Sequence, residues 1–563
     1  MSESGIDPVT LEIVRNQLEG VAEEMGQVLI HGAYSPNIKE RRDCSTALFD
    51  ADGRMVAQAE HIPVHLGAMP EAVEAVRDRD PNPGDAFVLN DPFAGGTHLP
   101  DVTVVSTVAP DDAILGYTVT RAHHADVGGA TPGSMPAGAT EIYQEGLRIP
   151  STRLVRGGDL DEELFDLLLA NVRNPDERRA DVRAQLAAND RGEARLGALA
   201  ASYGVARLED AFDAVCAYSG ERIEAELAEI PDGTYRAEDV LEGDGVTDDD
   251  VSIAAAVTVD GSSVTVDFAG TASQVAGNMN APLTVAKSAV YFVVRSVTDH
   301  TIPPNHGSYE PIRVSAPEGT VVNPRPPAAV VGGNVETSQR VTDVVSAAFA
   351  EAVPDRVPAS GQGTMNNLII GNRGRGGFTY YETIAGGFGA RPDRDGMDGV
   401  QVGMTNTLNT PIEALEAEYP LFVEAYGLRP DTGAPGEYRG GLGVERTLTV
   451  ETDAVVSLLT ERRRHRPPGA EGGGPGAAGE NRIDGEPVPA KTTQEVTAGT
   501  TVTVRTPGGG GYGDPADRAA GARRRDRANG KVTDDTAAAG DADDRTGGAD
   551  ERRGADADHG GST

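Results

Sequence analysis

Histidines cluster in the first quarter of the sequence. Five of the ten, His61, His65, His98, His123 and His124, lie between residues 61 and 124, whereas an even spread would place about one there. Aspartates accompany them in the same stretch. A neutral imidazole donates a nitrogen lone pair to a cation and a carboxylate supplies neutralising charge. This combination is therefore typical of a metal site or of an acid–base site.

The loop from Asn90 to Asp101 and the two segments after it indicate how these residues meet. Residues 102–108 and 114–121 have the pattern of two strands separated by a Pro-Asp-Asp turn. If they pair as a hairpin, Asp101 just before it and His123 just after it lie at the same open end. His98, three residues before Asp101, reaches that end. We therefore predict a site built on His98, Asp101 and His123. The neighbouring side chains are Asp91, His124 and Asp126.

The donor atoms of this predicted site are nitrogen and oxygen. The two cysteines, Cys44 and Cys216, do not have the spacing of a thiolate site or of a disulfide framework. Nitrogen and oxygen ligands suit Zn, Mn or Fe and do not choose between them. The structural alternative is that Asp101 merely begins a strand. Since His123 and His124 are adjacent, they would point to opposite sheet faces, and one of them would be an ordinary packed histidine.

Several elements must position this site. The sequence predicts a first helix capped by Asp7, a hairpin over residues 46–58 and a helix from Met69. It predicts a mostly helical segment near 158–230, then strands, with helices near 283–297 and 338–352. We expect an α+β fold with several lobes and mixed or antiparallel sheets. The predicted divisions are an amino-terminal lobe over 1–230 that carries the site, a Gly- and Pro-rich lobe over 231–515, and an acidic, disordered tail over 516–563.

The composition is strongly acidic. The chain has 88 Asp and Glu against 49 Lys and Arg, with a net charge of −39. Such a surface keeps a protein hydrated where salt screens charge, so we predict a halophilic source. It argues against nucleic-acid binding, which needs a basic surface. The sequence shows no leader and no apolar run long enough to span a membrane, which predicts a cytoplasmic protein.

Longer motifs surround the candidate residues. All of them contain glycine, and they are His61–Met69, Asn90–Asp101, His123–Gly129, Gly277–Pro282, Gly332–Arg340 and Thr506–Gly513. Together with the opening Asp7–Ile13, these motifs resemble the hydantoinase B family. The resemblance covers about residues 5–515 in order. It is more specific than a single short motif.

The resemblance implies a function that needs a partner. Family members include subunits of ATP-dependent hydantoinases, one half of 5-oxoprolinase, and subunits of acetone and acetophenone carboxylases. An A-type subunit with an actin-like fold uses ATP to activate the substrate oxygen, and the B-type subunit completes the reaction. The resemblance therefore implies a B-type subunit of a hydrolase that opens a hydantoin- or oxoproline-type ring. Two rivals stay open: an acetone- or acetophenone-type carboxylase subunit, and a non-catalytic assembly subunit.

The same resemblance assigns roles to residues. The ligands of a divalent metal map onto His98, Asp101 and His123, with Asp91 as a further candidate. His124 or Asp126 would accept a proton from the attacking water. Independently of the resemblance, the amides and the guanidinium of two further motifs are suited to hold a polar ring, although Asn and Gly there equally suit turns. These candidates are Asn278, Asn280, Asn334 and Arg340.

Overall fold

The computed structural model describes residues 6–373 and 377–533. Its first helix begins at Pro8, where the carboxylate of Asp7 accepts hydrogen bonds from the backbone N–H groups of Val9 and Thr10, as the sequence predicted. The α-helices of the described part are α1 (Pro8–Gly32), α2 (Pro36–Lys39), α3 (Met69–Arg77), α4 (Glu162–Ala170), α5 (Pro175–Tyr203), α6 (Val205–Leu227), α7 (Leu283–Val297), α8 (His306–Tyr309), α9 (Ser338–Ala352), α10 (Ile412–Glu418) and α11 (Ala520–Ala528).

The strands lie in several sheets. In the described part they are β1 (Cys44–Asp50), β2 (Met55–Glu60), β3 (Ala86–Leu89), β4 (Asp101–Val108), β5 (Gly116–His123), β6 (Thr152–Arg156), β7 (Asp159–Leu160), β8 (Gly233–Glu242), β9 (Asp250–Asp260), β10 (Ser263–Asp267), β11 (Ile312–Ser315), β12 (Asn367–Gly371), β13 (Thr379–Thr383), β14 (Leu421–Leu428), β15 (Val444–Val450), β16 (Ala454–Leu459), β17 (Glu480–Ile483), β18 (Glu486–Pro487), β19 (Lys491–Val496) and β20 (Thr501–Arg505).

These sheets are mainly antiparallel, and the predicted α+β class is confirmed. The first sheet has the order β2-β1-β5-β4-β3-β6-β7. The second is β11-β10-β9-β8, in which only β10 and β11 run parallel among the described strands. The others are β13-β12-β16-β19 and β14-β15-β20-β17-β18. Within the described residues, no helix is both long and apolar enough to cross a membrane.

The β4–β5 hairpin carries the region of interest. Its two strands pair in register from Asp101 opposite His123 to Val108 opposite Gly116. Both strands are buried throughout, and α5 covers one face, where the Gln185 and Asn189 side chains donate hydrogen bonds to backbone oxygens of β4. The hairpin was predicted, with Asp101 and His123 just outside it. They are in fact its terminal residue pair, and the pairing fixes their separation.

The helical segment predicted near 158–230 is confirmed for α4 to α6. It begins slightly later than predicted, because residues up to Leu160 form β7. The helices predicted over 283–297 and 338–352 match α7 and α9. The largest hydrophobic cluster includes side chains from both sides of residue 230, such as Val119 and Val257. The division into lobes at residue 230 stays a prediction.

The chain after residue 515 differs in part from the predicted disorder. Residues Ala520–Ala528 form α11. Arg518 makes ion pairs of 2.7 Å with Asp395 and 2.6 Å with Asp526. The composition argument counted only apolar side chains and so missed a segment that ionic contacts hold. The rest of the predicted tail, residues 534–563, lies outside the described residues.

Candidate metal centre

Three side chains converge at the open end of the β4–β5 hairpin. His98 Nε2 lies 2.9 Å from Asp101 Oδ1, and His123 Nδ1 lies 3.2 Å from the same oxygen. The two imidazole rings are 5.1 Å apart between centroids. One potential ligand atom from each residue lies within 4.8 Å of the other two, and all three residues are buried. The predicted convergence of His98, Asp101 and His123 is confirmed.

The electrostatics of this triad favour a charged carboxylate beside a neutral His123 imidazole. Burial alone would raise the pKa of Asp101, but the charge of His98, the hydrogen bond from His123 and the nearby imidazole of His65 hold it well below its usual range. Burial lowers the pKa of His123 to about 4, although its hydrogen bond to Asp101 opposes this. At neutral pH, therefore, an ionised carboxylate lies beside an imidazole that has a lone pair to donate.

Further polar groups surround the second carboxylate oxygen of Asp101. Thr97 Oγ1 donates a hydrogen bond of 2.7 Å to Oδ2. His65 Nε2 lies 3.6 Å from Oδ2, while its Nδ1 is 3.0 Å from the Ser45 hydroxyl. Asp101 is thus contacted both by Thr97, which is close to it in sequence, and by His65, which lies much earlier in the sequence. His65 belongs to the histidine cluster of the sequence, but spacing alone did not place it here.

Asn334 is the predicted substrate-binding residue that reaches the triad. Its Nδ2 donates a hydrogen bond of 3.3 Å to Asp101 Oδ2. It lies in a π-helical turn, Gly333–Thr337, that leads directly into α9. Such turns are rare and are frequent at functional sites. Asn334 Oδ1 is buried without a hydrogen-bond partner among the described residues, so one acceptor of this side chain remains available.

The other three predicted substrate-binding residues are occupied by internal contacts. Asn280 Nδ2 donates to three backbone oxygens of neighbouring loops. Arg340 forms a buried ion pair of 2.8 Å with Asp239. Asn278 Nδ2 donates to the Pro136 carbonyl oxygen, although its own oxygen has no partner among the described groups. Asn280 therefore holds neighbouring loops together, and Arg340 links α9 to β8. Their predicted roles in substrate binding stay predictions.

His124 points away from His123. Its Nε2 lies 3.0 Å from Gln185 Oε1 on α5, and burial lowers its pKa to about 4. Neighbouring residues of an extended chain project to opposite faces, so only His123 faces Asp101. The alternative of one packed histidine describes His124. Its predicted role as a proton acceptor stays a prediction.

The predicted carboxylates Asp126 and Asp91 are each paired with an arginine. Asp126 lies 2.9 Å from Arg173 and also accepts backbone N–H groups of Gly128 and Gly133. Asp91 lies 2.7 Å from Arg148 and accepts the N–H of Phe93. Neither carboxylate is part of the cluster that the triad forms. Both act in this structure as anchors of loops near the site, and their predicted catalytic and ligand roles stay predictions.

Most of the amino-acid sequence matches the model of one protein family. Residues 7–515 match the family model described as hydantoinase B/oxoprolinase. The chain belongs to this family.

Relatives of this hydantoinase B chain include named enzymes. It is 34% identical to the putative B component of a D-/L-hydantoinase from a Pseudomonas species, covering 91% of both chains. It is 38% identical to 5-oxoprolinase 1 of Arabidopsis thaliana over 91% of this chain but only 42% of that protein. The crystal structure of an ATP-dependent caprolactamase from Pseudomonas jessenii superposes with a TM-score of 0.88 at 30% identity, covering 95% of this chain and 96% of that one.

The triad of this hydantoinase B protein fits a divalent cation. Two imidazoles and one carboxylate would form a set of three protein ligands, which leaves a coordination position open for water or substrate. Both ring nitrogens of His98 and Nε2 of His65 are buried without a well-formed hydrogen bond among the described residues. Buried polar atoms normally have partners, and a cation at the triad would supply one for His98. The donors suit Zn, Mn or Fe equally.

Asp43 is a residue of this region that the sequence did not reveal. It lies just before β1, and its backbone oxygen accepts the N–H of His123. Burial, reinforced by the nearby charge of Asp101, raises the pKa of Asp43 to about 6. No spacing rule links Asp43 to a hairpin about sixty residues later in the sequence. Only the pairing of β1 with β5 brings it here.

Glu145 holds the segment that leads to the π-helical turn. Its carboxyl oxygens accept hydrogen bonds of 2.9 Å from the N–H groups of Val330 and Val331. Burial raises the pKa of Glu145 to about 8, although these two N–H groups oppose the shift. The residue therefore combines a structural contact with an unusual proton affinity.

We expect Glu145→Gln to change how stability depends on pH. The folded chain keeps this proton up to about pH 8, whereas the unfolded chain releases it near the ordinary value of 4.5. Wild-type stability therefore falls as pH rises between these values. The glutamine side chain cannot ionise. The free energy of unfolding of the variant, relative to that of the wild type, should therefore rise by up to about 1.4 kcal/mol per pH unit in that window.

Urea unfolding at several pH values between about 5 and 8 measures this difference. Glu163→Gln is the matched control, because Glu163 lies exposed on α4 and should leave the pH dependence unchanged. Parallel stability profiles for wild type and Glu145→Gln would show that Glu145 is ionised in the folded chain.

Proposed function

We propose that this chain is the metal-carrying B-type subunit of an ATP-dependent cyclic-amide hydrolase, opening a hydantoin- or 5-oxoproline-type ring. The observation that carries the proposal is the buried His98–Asp101–His123 triad in a chain of this family. Relatives named hydantoinase, 5-oxoprolinase and caprolactamase all refer to cyclic amides. Ring opening by water breaks the C–N bond of such an amide.

The residues divide the work in a defined way. His98, Asp101 and His123 would hold the cation. When bound, it supplies a Lewis acid that polarises water or a substrate oxygen. Thr97 and Asn334 orient the Asp101 carboxylate through their hydrogen bonds. The unpaired Asn334 Oδ1 is suited to accept a hydrogen bond from the ring N–H of a cyclic amide.

ATP use would belong to a partner. The sequence contains no Gly-Lys-Ser/Thr phosphate-binding loop. The chain spans about two fifths of the length of the 5-oxoprolinases it matches, and the hydantoinase relative is named as one component of an enzyme. We propose that ATP is held by an A-type subunit, which uses it to activate the substrate oxygen. This activation lowers the barrier for attack on the carbonyl carbon.

The test is a reconstitution with the partner subunit. The complex is incubated with ATP and a divalent metal on hydantoin, N-methylhydantoin, 5-oxoproline and caprolactam, and ring-opened acids are measured by mass spectrometry. We expect one of these rings to open, with a requirement for ATP, both subunits and the metal. Ring opening at an equal rate without this chain would contradict the proposal.

A parallel reaction with labelled bicarbonate separates hydrolysis from carboxylation. A hydrolase incorporates no label, whereas a carboxylase of acetone or acetophenone type places it in an organic acid. Labelled product together with no ring opening would favour the carboxylase instead.

A further inference from the structure

An aromatic ring from a second sheet stacks on the triad. The ring of Tyr381 lies 4.7 Å from that of His123 between centroids, with 23° between the planes. His123 ends β5 in the first sheet, while Tyr381 lies on β13 in a different sheet. Both side chains are buried, at 3% exposure. The contact therefore joins two parts of the fold at a metal-ligating position.

Tyr381 is itself held firmly. Its hydroxyl donates a hydrogen bond of 2.9 Å to Asn367 Oδ1, and Asn367 Nδ2 in turn donates to Glu336 Oε1 at 2.8 Å. Arg41 donates to the Tyr381 backbone oxygen at 2.6 Å. The guanidinium carbon of Arg41 also lies 4.8 Å from the centre of the tyrosine ring, within the range of a cation–π contact. The ring thus has a fixed position against which another ring can be oriented.

We propose that Tyr381 is a positioning residue that holds the His123 imidazole in its cation-binding orientation. The proposal rests on the metal site proposed above. Among the described residues, the imidazole of His123 makes one hydrogen bond, to Asp101, and that bond alone leaves the tilt of the ring undetermined. Removal of a group that orients a ligating imidazole usually weakens metal binding by about 10–100-fold. The hydroxyl of Tyr381 is committed to Asn367, so the residue acts through the face of its ring.

The strand supplies a matched control at the preceding position. Tyr380 is equally buried, at 2% exposure, and projects to the opposite face of β13. Its ring packs near Tyr419, 5.3 Å away between centroids, in a separate hydrophobic cluster. Tyr380→Leu removes the same ring from the same strand without touching His123. A loss of metal affinity that is caused only by poorer packing should appear in both Tyr380→Leu and Tyr381→Leu.

The experiment measures metal binding to Tyr381→Leu, Tyr381→Met, Tyr381→Phe and Tyr380→Leu. Zn²⁺ affinity is obtained by competition with a chromophoric chelator, and the Co²⁺ absorption spectrum reports ligand geometry. We expect about 10–100-fold weaker Zn²⁺ binding and an altered Co²⁺ spectrum for Tyr381→Leu and Tyr381→Met. Tyr381→Phe keeps the ring and should retain most of the affinity, and Tyr380→Leu should bind as the wild type does. The methionine variant preserves more side-chain volume if the leucine variant does not fold.

The outcomes separate the two proposals. Wild-type affinity and spectrum in Tyr381→Leu or Tyr381→Met, or an equal loss in Tyr380→Leu, would overturn the role of Tyr381 while leaving the metal site intact. If the wild type binds no Zn²⁺ or Co²⁺, or if His98→Ala binds them unchanged, the metal site itself is refuted and the role of Tyr381 with it.

Discussion

Replacement of His98 or Asp101 by alanine should remove the bound divalent metal and lower kcat of the ATP-dependent reaction by about 10³-fold or more. In the proposed site each residue would supply one of three ligands, and loss of a ligand would leave too few donors to retain the cation. A bound cation contributes several kcal/mol to stabilising developing charge, and about 1.4 kcal/mol corresponds to a tenfold change in rate.

Metal content by inductively coupled plasma mass spectrometry and steady-state rates of the reconstituted complex measure this effect. Asp101→Asn keeps the shape of the side chain and separates loss of charge from loss of packing. His300→Ala is the control, because His300 is exposed on a loop and should keep full metal content and rate. Normal metal content and activity in both His98→Ala and Asp101→Ala would remove the site from the mechanism.

Replacement of Gly333 by alanine should disturb both the fold and the site. An added Cβ would lie 1.9 Å from the Asn280 carbonyl oxygen and 2.4 Å from its carbon. Backbone atoms cannot rotate away, so the π-helical turn and the 277–282 loop must separate. Overpacking of this kind costs about 1–3 kcal/mol or more. Asn334, the next residue, should then lose its hydrogen bond to Asp101.

Thermal unfolding and metal affinity measured together test this expectation. Gly197→Ala is a control of the same chemistry, because a Cβ at this position of α5 meets no atom within 4 Å and should stabilise the helix by about 0.5–1 kcal/mol. We expect Gly333→Ala to lower the melting temperature and weaken metal binding. Equal melting temperatures for the two variants would show that the turn and loop can move apart freely.

Local features of the fold could be predicted from the sequence. Helices α7 and α9 begin and end where the apolar periodicity placed them, since this periodicity follows directly from which side chains face the core. The β4–β5 hairpin was predictable for the same reason, and with it the meeting of Asp101 and His123. The docking of residues 516–533 was not, because the ion pair of Arg518 with Asp395 joins residues 123 positions apart.

The candidate site was predictable only where its residues are close in sequence. His98 and Asp101 lie on one short loop, and the hairpin adds His123. Asp43 and Tyr381 reach the triad through strand order and sheet packing, for which the sequence contains no local signal. Conversely, Asp91 and Asp126 have the right residue type, but each is paired with an arginine. Residue type alone cannot distinguish a ligand from a carboxylate that anchors a loop.

Anomalous X-ray diffraction from metal-loaded crystals tests the central proposal most directly. Data collected on both sides of the absorption edge of the bound metal locate it independently of any assumption about its ligands. We predict one strong peak at the open end of the β4–β5 hairpin, about 2.0–2.2 Å from a nitrogen of His98, a nitrogen of His123 and an oxygen of Asp101. A peak elsewhere, or no peak at this position in crystals of the active protein, would contradict the account.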